Sequence, residues 1–186
     1  MEAFLISLST VAIAEIGDRT QLLSLVLAAQ FRKPWHVTAG VLTATIANHA
    51  VAGFLGIWFG HFLTPRVIDL VVGVSMLAMA LWTLKPDKLE EDPSIAQRNA
   101  FLATLIAFLI AEIGDKTQIA TIALAAGYRN LFAVVAGTTL GMMIANVPVI
   151  FLGSAFATRL PLKAIHIGAA ILFAVLGVVF IVRGLA

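Results

Sequence analysis

Ala14-Glu15-Ile16-Gly17-Asp18-Arg19-Thr20-Gln21 returns 97 residues later as Ala111-Glu112-Ile113-Gly114-Asp115-Lys116-Thr117-Gln118. Each copy lies at the middle of a long apolar run, residues 3–29 and 100–126. The same offset pairs Ala28-Ala29 with Ala125-Ala126, Arg32 with Arg129, Gly40 with Gly137, Gly56 with Gly153 and His49 with Asn146. An eight-residue match in register with five further sites is an internal repeat.

The composition decides what kind of chain carries this repeat. Of 186 residues, 61% are hydrophobic and 12% charged, with a mean hydropathy of +1.02. Soluble domains are about 45–50% apolar and about 25% charged, so a water-soluble enzyme is excluded. A bilayer-spanning helix takes roughly 20 apolar residues. Six such runs are present, at 3–29, 36–63, 67–84, 100–126, 131–157 and 162–182, which leaves no length for a separate soluble domain. The breaks between them carry proline, charge and interfacial aromatics: Arg32-Lys33-Pro34-Trp35, Thr64-Pro65-Arg66, Tyr128-Arg129-Asn130 and Arg159-Leu160-Pro161. The first run follows Glu2 and is interrupted by Glu15, Asp18 and Arg19, unlike a secretory signal, and is read as a retained helix. Without cysteine there is no disulfide or thiolate chemistry, and a net charge of +2 offers no nucleic-acid surface.

The expected fold is an all-α integral membrane protein of six transmembrane helices, arranged as two three-helix repeats. Residues 1–84 form the first, 100–186 the second, and 85–99, with seven charges and two prolines, a solvated linker. An odd number of spans per repeat inverts the second half relative to the first, the plan of many secondary transporters, whose binding site lies near the midplane. Basic residues are concentrated in the loops after spans one, three and five: Arg32, Lys33, Lys85, Lys88, Arg98, Arg159 and Lys163, against Arg66, Arg129 and Arg183 on the other side. By the positive-inside rule that side, linker included, is cytoplasmic and both termini lie outside.

Six ionisable groups then fall at mid-membrane: Glu15, Asp18, Arg19, Glu112, Asp115 and Lys116. Each costs on the order of 2.5–3.5 kcal/mol there if left alone, so they must face one another, water or an ion. On a regular helix Glu15, Asp18 and Gln21 share a face, as do Glu112, Asp115 and Gln118. Gly17 and Gly114 either unwind the helix locally or admit a close neighbour. In the first case backbone carbonyls and the hydroxyls of Thr20 and Thr117 join the site. Crossing of the two motif helices would gather four carboxylates and two amides at one point.

An all-oxygen donor set suits a hard divalent cation such as Mn²⁺, Ca²⁺ or Mg²⁺. Four carboxylates against two bases leave two negative charges, which one such ion neutralises. Protons compete with metal for carboxylates crowded in low dielectric, the physical basis of metal/proton exchange. Arg19 and Lys116 either neutralise the acids when the cation is absent or simply pair with their neighbours Asp18 and Asp115. Asn48, His49 and Asn146 are read as helix–helix hydrogen-bonding groups that can also support the ligands. His36, His61 and His166 lie near span ends. Met76, Met79, Met142 and Met143 are packing residues, Gly56-x-x-x-Gly60 and Gly137-x-x-x-Gly141 mark close helix contacts, and Pro148 is expected to kink the fifth span.

The paired E-I-G-D-R-T and E-I-G-D-K-T words resemble the E-x-G-D-(K/R)-(T/S) signature of the cation/proton exchangers typified by the Golgi transmembrane protein 165 and by small bacterial manganese exporters. The likeness spans the chain: two complete motifs, three spans per half and a charged central loop. It implies a Ca²⁺/Mn²⁺:H⁺ antiporter with Glu15, Asp18, Glu112 and Asp115 as cation ligands, no prosthetic group, and a place in a bacterial inner membrane. The lipid bilayer and the transported cation are the expected partners, and self-association is left open. Two rivals are an exporter of a cationic organic solute, such as a basic amino acid, and an intramembrane metal-dependent lipid-phosphate hydrolase. The first wants an aromatic pocket, whereas each motif has small and aliphatic neighbours. The second wants its acids near the headgroups, whereas these lie at the midplane.

Changing Glu15 or Glu112 to Gln, or Asp18 or Asp115 to Asn, is expected to abolish transport while the protein stays folded. Cation flux in vesicles, read beside the gel-filtration profile, checks this; full transport by all four variants would remove the acids from the site.

Overall fold

The computed structural model describes residues 1–84, 99–153 and 162–185, and all of its regular secondary structure is α-helical. The helices are α1 (Glu2–Glu15), α2 (Arg19–Phe31), α3 (Pro34–Phe62), α4 (Pro65–Thr83), α5 (Ala100–Glu112), α6 (Lys116–Tyr128), α7 (Leu131–Leu152) and α8 (Leu162–Leu185). Most of the expected linker, and the expected break at Arg159-Leu160-Pro161, lie outside the described residues.

Among the described residues, four helices are long and apolar enough to cross a bilayer: Pro34–Phe62, Pro65–Thr83, Leu131–Leu152 and, within α8, Ile167–Leu185. The other two expected spans, 3–29 and 100–126, are not continuous helices. Each is cut at its motif into two helices of 13 or 14 residues, about 20 Å apiece at 1.5 Å per residue. Neither piece alone reaches across a hydrocarbon core of about 30 Å. The cut has one local cause in both places: Gly17 and Gly114 adopt φ of +82° and +73°, a left-handed conformation that glycine enters without steric cost. A Cβ on Gly114 would meet nothing within 4 Å, so this glycine turns the chain rather than admitting a neighbour. Other boundaries follow sequence signals. Pro34 and Pro65 open α3 and α4, and Gly153, at φ +69°, ends α7. Inside α7 the helix continues through Pro148.

Close contacts tie α3 to α5 and α6, and α7 to α1 and α2. A Cβ on Gly40 would lie 2.7 Å from Thr104 Cβ and 2.9 Å from Phe101 O. On Gly137 it would lie 2.9 Å from Ser7 Cβ and 2.5 Å from Phe4 O. These are one contact repeated, since Phe4 and Ser7 are Phe101 and Thr104 less 97. Farther along, Asn48 meets Leu109, and Gly56 meets Ile122 and Ala125. Thus α3 runs in the same direction as α5–α6. Gly141 against Leu8 and Ala12, Ala145 against Gln21, and Asn146 against Ser24 give α7 the same relation to α1–α2. On the far flank α4 packs along α8 through Gly73 and Gly177.

Glu2 meets Tyr128, Arg129 meets Gly60, and Arg66 meets Gly184. Both ends of the described chain therefore share one end of the bundle with the α3–α4 and α6–α7 turns. At the opposite end Trp35 packs edge-on to Phe151. Polarity is turned inside out. Ser7, Thr10, Ser24, Thr45, His49, Thr138 and Asn146 are buried, while Phe54, Trp58, Leu81, Ile110, Phe132 and Val182 face outward. That distribution matches a lipid-facing exterior and a hydrogen-bonding interior.

Gly40→Val should lower stability by about 1–3 kcal/mol, as expected for overpacking, because backbone at Phe101 cannot move away from the new side chain. Thermal unfolding in detergent measures it.

Candidate cation site

The two breaks lie side by side at the centre of the bundle. Within each, the chain closes a tight turn, with the Asp18 N–H donating to Glu15 O and the Asp115 N–H to Glu112 O, both at 3.1 Å. Asp18 and Asp115 are the N-caps of α2 and α6. Three residues on, Gln21 Oε1 accepts from the Gly17 N–H at 2.8 Å, and Gln118 Oε1 accepts from the Gly114 N–H at 2.7 Å. Gln21 Nε2 also donates to Ala145 O at 2.8 Å. The N3 glutamine thus reaches back as in a capping box, but to the glycine before the N-cap; Asp115 accepts from the Thr117 N–H, whereas Asp18 makes no side-chain cap bond. The sequence reading takes these amides as cation donors; in this structure their oxygens close the break.

The bases pair across the breaks. Lys116 Nζ lies 2.5 Å from Asp18 Oδ1, and Arg19 Nη2 lies 3.3 Å from Asp115 Oδ1 and 2.6 Å from Ala111 O. This replaces the neighbour pairs Asp18–Arg19 and Asp115–Lys116 considered from the sequence. In an N-cap turn, consecutive side chains diverge, so each base reaches the acid of the other motif. The Lys116–Asp18 pair is almost fully enclosed, whereas the Arg19 side chain is 36% exposed.

Oxygens of Glu15, Asp18 and Asp115 lie within 4.8 Å of one another, all three residues buried. Asp115 Oδ2 also accepts from Thr117 Oγ1 and the Thr117 N–H. Glu15 is 0% exposed and neither carboxylate oxygen has a hydrogen-bond partner among the described residues. A buried carboxylate in that condition is costly. Of the four carboxylates expected at one point, three converge. The fourth, Glu112, is held by α3: Thr45 Oγ1 donates to Oε1 at 3.0 Å and Asn48 Nδ2 to Oε2 at 3.1 Å.

The remaining sequence candidates fall as follows. Asn146 Oδ1 accepts from Ser24 Oγ at 2.6 Å, joining α7 to α2. His49 is buried with neither ring nitrogen partnered among the described residues, and the Thr20 hydroxyl is likewise buried and unpartnered. His36 and His61 are exposed; the His166 side chain lies outside the described residues. Met76, Met79 and Met142 are buried in the packing. Sequence reasoning overlooked Thr45, whose only signal is a polar residue one turn before Asn48-His49 on the buried face of α3.

Apolar spanning helices around a buried, base-paired acidic cluster define a membrane protein that handles cations. The chain belongs to the family described as "Divalent cation/proton antiporter GDT1", which matches residues 3–91 and 100–186. It is therefore a transporter and not an enzyme, and the hydrolase reading falls. It is 51% identical over 167 residues to a Vibrio cholerae protein named "Putative manganese exporter", covering 89% of this chain and 84% of that one. A GDT1-like protein of Synechocystis is 30% identical over 204 residues, covering 96% of both. A GDT1-like protein of Oryza sativa is 26% identical over 200 residues, covering 92% of this chain and 71% of that one. No solved structure matches.

Lys116→Met should destabilise the protein by about 3–5 kcal/mol, the cost of stripping a buried ion pair of one partner. Arg19→Met should cost less, because that side chain reaches water. Thermal unfolding compares them, and added Mn²⁺ should recover part of the Lys116→Met loss by replacing the missing charge.

Proposed function

We propose that the chain exports a divalent cation, Mn²⁺ ahead of Ca²⁺, from the cytoplasm in exchange for protons. It does so as six spans in two inverted three-helix repeats. In this reading α1–α2 and α5–α6 each serve as one broken span, and residues 1–84 and 100–186 are the repeats joined by a cytoplasmic linker at 85–99. Support comes from the recurrence of contacts at an offset of 97, Gly40–Thr104 with Gly137–Ser7. It comes also from the basic loops on the linker side and from both ends of the described chain sharing one end of the bundle.

The observation that carries the reading is the unpartnered, fully buried Glu15 carboxylate within 4.8 Å of Asp18 and Asp115. Oxygens on opposite sides of Ca²⁺ are about 4.6–5.2 Å apart at its usual bond lengths, so the cluster is already the size of a coordination shell. Each motif has only small and aliphatic neighbours and no aromatic pocket, which argues against the organic-cation alternative. Glu15, Asp18 and Asp115 are the ligands in this form. Lys116 and Arg19 neutralise two of them while the site holds no ion, and release of those contacts accompanies cation entry. Protons compete for the same oxygens, so loading from one side and protonation from the other couple the two fluxes through alternating access. Mn²⁺ is placed first because of the name borne by the Vibrio relative.

Purified protein in proteoliposomes with an imposed pH gradient should take up Mn²⁺ faster than Ca²⁺ while the gradient collapses. Its Mn²⁺ affinity should fall as pH is lowered, because protons and metal share ligands. Movement of neither ion, or metal flux without proton flux, would defeat the antiporter reading.

A further inference from the structure

We infer that Thr45 and Asn48 form a latch on Glu112 that makes the two motif acids unequal. Glu15 serves as a standing cation ligand, and Glu112 is a reserve carboxylate withheld from the cation until α3 releases it. The inference rests on the transport reading above and deepens it, naming two positioning residues that reach the cation only through Glu112.

Both oxygens of Glu112 are taken by α3, Oε1 by the Thr45 hydroxyl at 3.0 Å and Oε2 by the Asn48 amide at 3.1 Å. The same amide lies 3.3 Å from Leu109 O, an open carbonyl in the last turn of α5. One side chain thus grips both the acid and the helix end that carries it. Shifted by 97, Thr45 becomes Met142 and Asn48 becomes Ala145. Neither can donate a side-chain hydrogen bond of this strength to a carboxylate. On that side α7 packs against α1 through Gly141, and Ala145 O is occupied by Gln21. Met142, which corresponds to Thr45, turns its sulfur to the Asn146 amide at 3.1 Å and has no hydroxyl to offer, and the Glu15 oxygens are left without partners among the described residues. The difference between the motif acids is written in α3 and α7, outside the motifs themselves, which match in every residue but one.

Two consequences follow. A latched Glu112 keeps the resting cluster at three carboxylates, so affinity stays moderate and the cation can leave. Movement of α5 away from α3 would break both hydrogen bonds together and turn Glu112 toward the ion, so the latch couples coordination number to conformation.

The test uses purified full-length protein, Mn²⁺ binding followed by loss of the free Mn²⁺ spectroscopic signal, and Mn²⁺ flux in proteoliposomes. Thr45→Val combined with Asn48→Leu should bind Mn²⁺ about tenfold tighter, with hydrogen bonds to a charged group no longer competing for Glu112. KM should fall and kcat should fall with it, whereas Thr45→Ser, which keeps the hydroxyl, should behave as the unaltered protein. In case the double variant fails to fold, Met142→Thr gives the first half the hydroxyl that Thr45 supplies in the other. It should weaken Mn²⁺ binding about tenfold, while Met142→Leu should not. Unchanged affinity in the folded α3 variant, or equal losses in Met142→Thr and Met142→Leu, would overturn the latch while the transport reading stands. Absence of Mn²⁺ and Ca²⁺ binding by the unaltered protein would overturn both.

Discussion

Ionised side chains cannot rest singly in an apolar bundle, and the centre of this molecule is arranged around that constraint. Lys116 against Asp18 and Arg19 against Asp115 form a reciprocal cross between the two broken helices. Each acid finds its base in the other half of the chain, so the halves are locked together by groups neither could bury alone. The cross leaves the buried Glu15 carboxylate beside it without a hydrogen-bond partner among the described residues.

Breaking the helices is what lets the cross form. Gly17 and Gly114 turn the chain, aspartates stand at the N-caps of the helices that follow, and Asp115 caps α6 through the Thr117 N–H. Gln21 and Gln118 bind the amide groups exposed by the turn. Without those caps, two open helix ends would lie unsatisfied at mid-bundle, each orphan group costing on the order of 1–3 kcal/mol. Glycines on α3 and α7 let backbones approach until the polar side chains of those helices reach the breaks. Thr45 and Asn48 arrive at Glu112 by that route, and Asn146 arrives at Ser24.

The near-identity of the motifs hides a chemical difference. Asp115 is bound by the backbone and hydroxyl of Thr117, and Glu112 by α3, whereas the Thr20 hydroxyl and the Glu15 carboxylate have no partners among the described residues. The two motifs, alike in sequence, are thus unequally satisfied by hydrogen bonds.

Much of this was legible in the residues. Hydropathy and the 97-residue offset disclosed apolar helices in two related halves, because burial in lipid demands long apolar runs and duplication copies spacing. The central acids stood out because charge at mid-run is too costly to be incidental. Gln21 and Gln118 read from the sequence as cation donors, since an amide oxygen serves a cation or a backbone N–H alike. What only the tertiary structure decided was partnership: that the glycines unwind their helices, that bases pair crosswise, that three acids converge, and that Glu112 belongs to α3. Those outcomes depend on which surfaces meet at distances of a few ångströms. Helices far apart in sequence set those distances by how closely their glycines let them pack, a property of the assembled bundle that no single stretch of chain contains.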